Sequence, residues 1–135
     1  SDRFNFTEYK SLEAITGVTV RYVGRVEELK SPDIIMIPGK KNTMEDLLWL
    51  RQIGLGAEIQ KQAAEGKIIF GICGGYQMLG NSISDPHGIE KEGTVRGMEL
   101  LPVTTILEPA KTRTRVNGTF CELTGELKEL SFAEY

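Results

Sequence analysis

The side chains with the most chemical potential are two cysteines, Cys73 and Cys121, a single histidine, His87, and the adjacent lysines Lys40 and Lys41. Cys73 has the most informative surroundings. It lies at the centre of Gly71-Ile72-Cys73-Gly74-Gly75, a G-x-C-x-G pattern between the apolar run Ile68-Ile69-Phe70 and the helix-like Tyr76-Gln77-Met78-Leu79-Gly80. This is the cysteine version of a strand–turn–helix nucleophile elbow, in which a sharp turn projects the reactive atom above a sheet edge. Glycines are required at 71 and 75 because the turn brings neighbouring backbone too close for side chains. A helix starting after Cys73 would aim its N-terminus at the sulfur and favour the thiolate, the attacking form. The Gly74 amide is then placed to stabilise an oxyanion. The plainer alternative is a buried cysteine in a glycine-rich turn, since free cysteine often serves as a small core residue. The register of strand, paired glycines and helix favours the nucleophile.

A second loop, Pro38-Gly39-Lys40-Lys41-Asn42-Thr43, follows the apolar run Ile34–Ile37 and opens a helix. Loops at the carboxyl ends of parallel strands are where α/β proteins bind ligands. Gly39 can therefore donate its amide to the same oxyanion as Gly74; these residues alone are equally consistent with an ordinary turn and N-cap. Lys40 and Lys41 read as solvated. Cys121 lies on an expected strand and reads as structural. His87, in Asp85-Pro86-His87-Gly88, falls in a cluster typical of exposed turns and reads as a solvated loop residue, not as a base for Cys73.

The elements that must position these groups read in the order helix, strand, strand, helix, helix, strand, helix, then a β-rich tail. Thr7 precedes a short helix ended by Gly17, and Val18, Val20 and Tyr22 alternate with Thr19 and Arg21 as in a half-buried strand. The continuous runs Ile34–Ile37 and Ile68–Phe70 suit parallel strands buried on both faces. Between them, Thr43 with Asp46 forms a capping-box pattern for a helix through Leu47, Leu48 and Ile53. Gly54 and Gly56 break that helix, and Leu55, Ile59 and Ala63 space another that Gly66 stops. Strand, helices, strand is a βαβ crossover, so the expected fold class is α/β. Leu100–Leu107, the Thr/Arg alternation from Lys111 to Val116, and Thr119–Leu123 read as further strands.

The composition is that of an ordinary globular chain, 40% hydrophobic and 26% charged, and 135 residues suit one domain spanning 1–135. A net charge of −3 gives no reason to expect a nucleic acid or an anionic membrane as partner. No apolar run approaches the roughly 20 residues that span a bilayer. Two cysteines are too few for a disulfide framework and wrongly spaced for zinc, so no metal and a cytoplasmic location are expected.

The Pro38-Gly39-Lys40-Lys41-Asn42-Thr43 loop and the Gly71–Gly80 segment together resemble the glutamine amidotransferase (triad-type, class I-like) domain of cobyric acid synthases. The likeness extends through Asn5-Phe6-Thr7, Asp85-Pro86, Gly97-Met98-Glu99-Leu100-Leu101-Pro102, Thr104-Thr105 and Lys111-Thr112. The cysteine motif alone is shared with cobyrinic acid diamide synthases and with amidotransferases of peptidoglycan lipid II. A DJ-1-like cysteine hydrolase, or a non-enzymatic domain, shares only the elbow. The resemblance implies a flavodoxin-like, mostly parallel sheet with flanking helices and a β-rich C-terminal part. It implies Cys73 as nucleophile toward glutamine, with Gly39 and Gly74 as oxyanion donors and a histidine as base. It further implies that ammonia passes to an ATP- and Mg2+-dependent synthetase domain outside this chain, which amidates a separately bound corrinoid. No cofactor is expected in the chain itself. The resemblance puts the histidine in a Tyr-Glu-Ile-His-x-Gly segment after the β-rich region. The chain is therefore expected to be a fragment, without its first strand and C-terminal end, and without glutaminase activity alone.

Overall fold

The computed structural model describes residues 9–116, 118, 124 and 125. Among them ten elements follow one another: α1 (Lys10–Glu13), α2 (Val26–Leu29), β1 (Ile34–Ile37), α3 (Thr43–Gln52), α4 (Leu55–Ala64), β2 (Ile68–Gly71), α5 (Gly74–Met78), β3 (Ser82–Asp85), β4 (Gly93–Arg96) and β5 (Thr104–Ile106). The class is α/β, as expected.

The central unit is the β1–α3–α4–β2 crossover. β1 and β2 pair in parallel, with Ile34 opposite Ile68 and Ile37 opposite Gly71. Because side chains alternate along a strand, Ile35, Ile37 and Ile69 share one face and Ile34, Met36, Ile68 and Phe70 the other. The first face packs against Leu47, Leu50, Leu55 and Ile59 of the two helices, joined in the core by Leu29, Met44, Met78, Leu79, Ile83 and Met98. On the second face Ile34, Ile68 and Phe70 remain 51%, 48% and 53% exposed. Burial on both faces is thus corrected to burial on one, because among the described residues helices cover only that side.

Gly54, at φ +79°, makes the sharp passage from α3 to α4, a left-handed conformation that suits glycine. Gly66, at φ +91°, follows α4 and turns the chain into β2. A second, three-stranded sheet has β3 at its centre, antiparallel to β4 and parallel to β5.

Several expectations are corrected. Val18–Tyr22 is not a strand: no described strand lies beside it, and Val18 and Tyr22 are exposed. A strand's amides and carbonyls need a partner edge, so alternation alone does not make one. Lys111–Val116 is likewise exposed and irregular. Leu100–Leu107 narrows to β5. The α3 cap shifts by one residue, with Asn42 at the N-cap and its side-chain nitrogen donating to Glu45 at 3.1 Å. Thr7, Cys121 and the Thr119–Leu123 strand lie outside the described residues.

Candidate active site

The chain leaves β2 at Gly71 and enters α5 at Gly74, with Cys73 at the turn. Cys73 is solvent-exposed and adopts φ +53°, ψ −116°. A residue with a Cβ rarely occupies this region, at a cost of about 1–3 kcal/mol, and it persists only where surrounding contacts enforce it. Those contacts are visible in the backbone. The Ile72 amide donates to the Ile37 carbonyl at the end of β1 (3.0 Å), and the Gly75 amide to the Ile72 carbonyl (2.9 Å). A Cβ on Gly75 would collide with the Ile37 carbonyl oxygen, and one on Gly71 would lie 2.7 Å from the Tyr76 backbone. The two elbow glycines are therefore required by close approach.

α5 is only five residues long. What it offers Cys73 is therefore the N-terminal end of little more than one turn, a smaller field than a long helix would supply. Its far end is held by the chain around Gly97–Val103. Met98 donates to the Met78 carbonyl (2.8 Å), Glu99 to Gly80 (3.0 Å), and Leu100 and Leu101 both to Leu79 (2.9 Å). Gln60 of α4 secures this segment in turn, donating to the Met98 carbonyl at 2.8 Å.

The loop after β1 closes onto the elbow. A Cβ on Gly39 would fall on the Gly74 amide nitrogen, 2.8 Å from the Ile72 carbonyl oxygen and 3.0 Å from Cys73 Cβ. Gly39, Cys73 and Gly74, 34 and 35 residues apart in sequence, thus meet at one point. Neither the Gly39 nor the Gly74 amide donates to a backbone carbonyl among the described residues. Buried Thr43 backs this contact: its Oγ1 lies 2.7 Å from where a Gly74 Cβ would stand, and it reaches the Lys40 carbonyl at 3.5 Å. Lys40 is half-buried and Lys41 exposed. Both border an open cleft of about 240 Å³ with Asn42, Glu45 and Asp46. The larger hollow, about 350 Å³ between α4, β2 and Leu100–Leu101, does not include Cys73.

His87 is exposed on the β3–β4 turn. That turn is organised by Asp85, whose side chain is inaccessible to solvent. Asp85 Oδ1 accepts the Ile89 amide (2.9 Å), and Oδ2 accepts those of Glu90 (2.6 Å) and Lys91 (2.9 Å). Burial works to raise its carboxyl, but these amides and that of His87 prevail and hold it below the ordinary carboxylate range. Glu90 shifts the other way: burial first, then the Asp85 and Asp46 carboxylates, raise it against the amides of Met44 and Thr43. Sequence reasoning missed Thr43 as a backing residue and Glu90 altogether. Among the described residues, no group of three or more His, Cys, Asp or Glu side chains could hold a metal ion. Nor is any described helix long and apolar enough to cross a membrane.

A parallel βαβ unit ending in a strained cysteine elbow, with a second glycine loop packed against the residue that follows the cysteine, is the α/β architecture of glutamine amidotransferase domains. Residues 2–131 match the CobB/CobQ-like glutamine amidotransferase domain family, and the chain belongs to that family. The cobyric acid synthase of Ruminiclostridium cellulolyticum is 53% identical over 94% of this chain, and that of Lachnoclostridium phytofermentans 45% over 97%. The chain spans only about a quarter of the length of these relatives (25% and 26%). A solved glutamine amidotransferase shares the fold, with a TM-score of 0.59 and 22% identity over 76% of this chain and 51% of its own.

Proposed function

We propose that residues 1–135 form one glutamine amidotransferase domain, the glutaminase part of an enzyme that amidates peripheral carboxylates of adenosylcobyrinic acid a,c-diamide to give cobyric acid. The observation that carries this reading is the exposed Cys73 at φ +53°, with the Gly39 loop packed against the Gly74 amide. Cobyric acid synthase as the name of relatives at 45–53% identity supports this acceptor over cobyrinic acid or lipid II.

In this mechanism the Cys73 thiolate attacks the side-chain amide carbon of glutamine, and the carbonyl oxygen takes up the negative charge. The amides of Gly39 and Gly74 hold that oxyanion, a contribution realised mainly in the transition state. Collapse breaks the C–N bond as the nitrogen is protonated. Ammonia leaves, and a glutamyl thioester remains for water to hydrolyse to glutamate. The proton donor is the histidine expected from the family resemblance; His87, on its exposed turn, takes no part. Ammonia then serves an ATP- and Mg2+-dependent synthetase domain, the partner that holds the corrinoid, in the cytoplasm.

The test is Cys73→Ala in the full-length protein. Glutamine-dependent amidation should be abolished, while synthesis from added ammonia continues at the wild-type rate. Loss of both at unchanged stability would make Cys73 a structural residue.

A further inference from the structure

Helix α3 starts without a side-chain cap of its own: Asn42 occupies the N-cap position, but its side chain bonds to Glu45 and to no first-turn amide. Four amides at a helix start need partners, and a carboxylate there also meets the positive end of the helix dipole. The partner comes from 46 residues away: Glu90 Oε2 accepts the Met44 amide at 3.3 Å, and the neighbouring Thr43 amide also favours the ionised carboxylate. Glu90 is itself held by its backbone, since its amide donates to the buried Asp85 carboxylate at 2.6 Å. A continuous path thus runs from Asp85 through Glu90 to the first turn of α3. There Thr43 backs Gly74 and the chain leads directly to Gly39.

We propose that Glu90 is a positioning residue for the oxyanion site: by capping α3 from the β3–β4 turn, it fixes the Pro38–Asn42 loop so that the Gly39 amide stays beside that of Gly74. The proposal rests on the glutaminase reading above. Removing the carboxylate leaves the nucleophile intact but frees the start of α3, so the loop no longer holds one geometry. Ground-state glutamine binding depends little on this, whereas the developing oxyanion depends on it strongly.

The experiment compares Glu90→Ala and Glu90→Gln with wild type and Cys73→Ala in the full-length protein. Glutamine-dependent and ammonia-dependent synthesis are measured, together with alkylation of Cys73 by iodoacetamide. Glu90→Ala should lower the glutamine-dependent kcat by about 10–100-fold, the scale of a small misplacement of a catalytic group. KM, ammonia-dependent synthesis and the alkylation rate should stay near wild type. Glu90→Gln keeps an oxygen acceptor and loses only the charge, so it should recover kcat to within about threefold of wild type. A kcat for Glu90→Ala within about twofold of wild type would overturn the proposal. A parallel fall in ammonia-dependent synthesis would also overturn it, because it would mark general structural damage. Glutamine-dependent activity surviving in Cys73→Ala would instead overturn the glutaminase reading itself.

Discussion

Gly39→Ala is the sharpest probe of the proposed oxyanion geometry, because its backbone and steric effects separate cleanly. Gly39 does not occupy the left-handed region, so alanine meets no conformational penalty there. On entropy alone the change should stabilise the fold by about 0.4–1 kcal/mol. The opposition is steric: the new methyl would fall on the Gly74 nitrogen, 2.8 Å from the Ile72 carbonyl oxygen and 3.0 Å from Cys73 Cβ. None of these atoms can swing aside as the end of a long side chain would. Ordinary contacts lie near 3.5–4.0 Å, so the loop must retreat from the elbow by about 1 Å. Overpacking of this kind costs about 1–3 kcal/mol, which leaves a net destabilisation of about 0–2.6 kcal/mol after the entropic gain. An oxyanion donor works only at about 2.7–3.1 Å, and losing one costs about 10²–10³-fold in kcat. The assay is ammonia release from glutamine by the full-length protein, with ammonia-dependent synthesis as the control. Glutaminase kcat should fall by that factor while the control is preserved. Activity within about threefold of wild type, in a protein of unchanged stability, would refute the packing of Gly39 on the elbow and its role as a donor together.

Cys73→Gly and Cys73→Ala should both be inactive with glutamine, yet Cys73→Gly should be the more stable by about 1 kcal/mol in urea unfolding. Relief of about 1–3 kcal/mol of strain at φ +53° outweighs the usual 0.5–1 kcal/mol handicap of glycine, and the reverse order would show that the turn is unstrained. Acid should loosen the β3–β4 turn: the Asp85 pKa is lower folded than unfolded, so its contribution is complete above about pH 4 and is lost as pH falls through the native value. Hydrogen exchange at the Ile89, Glu90 and Lys91 amides reads this directly; protection in Asp85→Asn should be lower at pH 7 and change less on acidification, and a wild-type-like profile would refute the anchoring role.

What was legible in the sequence was whatever a contiguous stretch encodes. The elbow is a single run, in which apolar strand, glycines and helix are adjacent, and it appears at Gly71–Met78 as read. The Gly39–Gly74 meeting spans 35 residues, yet the parallel-strand rule anticipated it because both loops leave the same sheet edge. Strands β3 and β4 were missed because each contains a single large apolar residue, Ile83 or Val95, so no periodicity rises above the background. Val18–Tyr22 failed in the opposite sense, with alternation present and no strand beside it among the described residues. Glu90 left no local signal, since its capping role exists only after the β3–β4 turn folds back onto α3.

The strained Cys73 backbone explains why residues so far from the motif belong to the site. A turn at φ +53° relaxes unless its neighbours leave it no alternative, and four segments do this from different directions. The end of β1 receives the Ile72 amide and leaves room only for glycine at 75. The Gly39 loop bears on Gly74 from above the sheet edge, with Thr43 behind it. Residues 98–101 donate to the carbonyls at the far end of α5, so this short helix cannot slide to unwind the turn. The Asp85–Glu90 turn fixes α3, and with it the loop that carries Gly39. Each restraint acts mainly through backbone groups. For the turn itself the sequence therefore has to supply little more than glycine where chains touch and a buried carboxylate where amides need an acceptor. Substitutions at Gly97 illustrate the point: a Cβ there would strike the Gly80 carbonyl and displace the chain that holds α5, disturbing Cys73 without touching it.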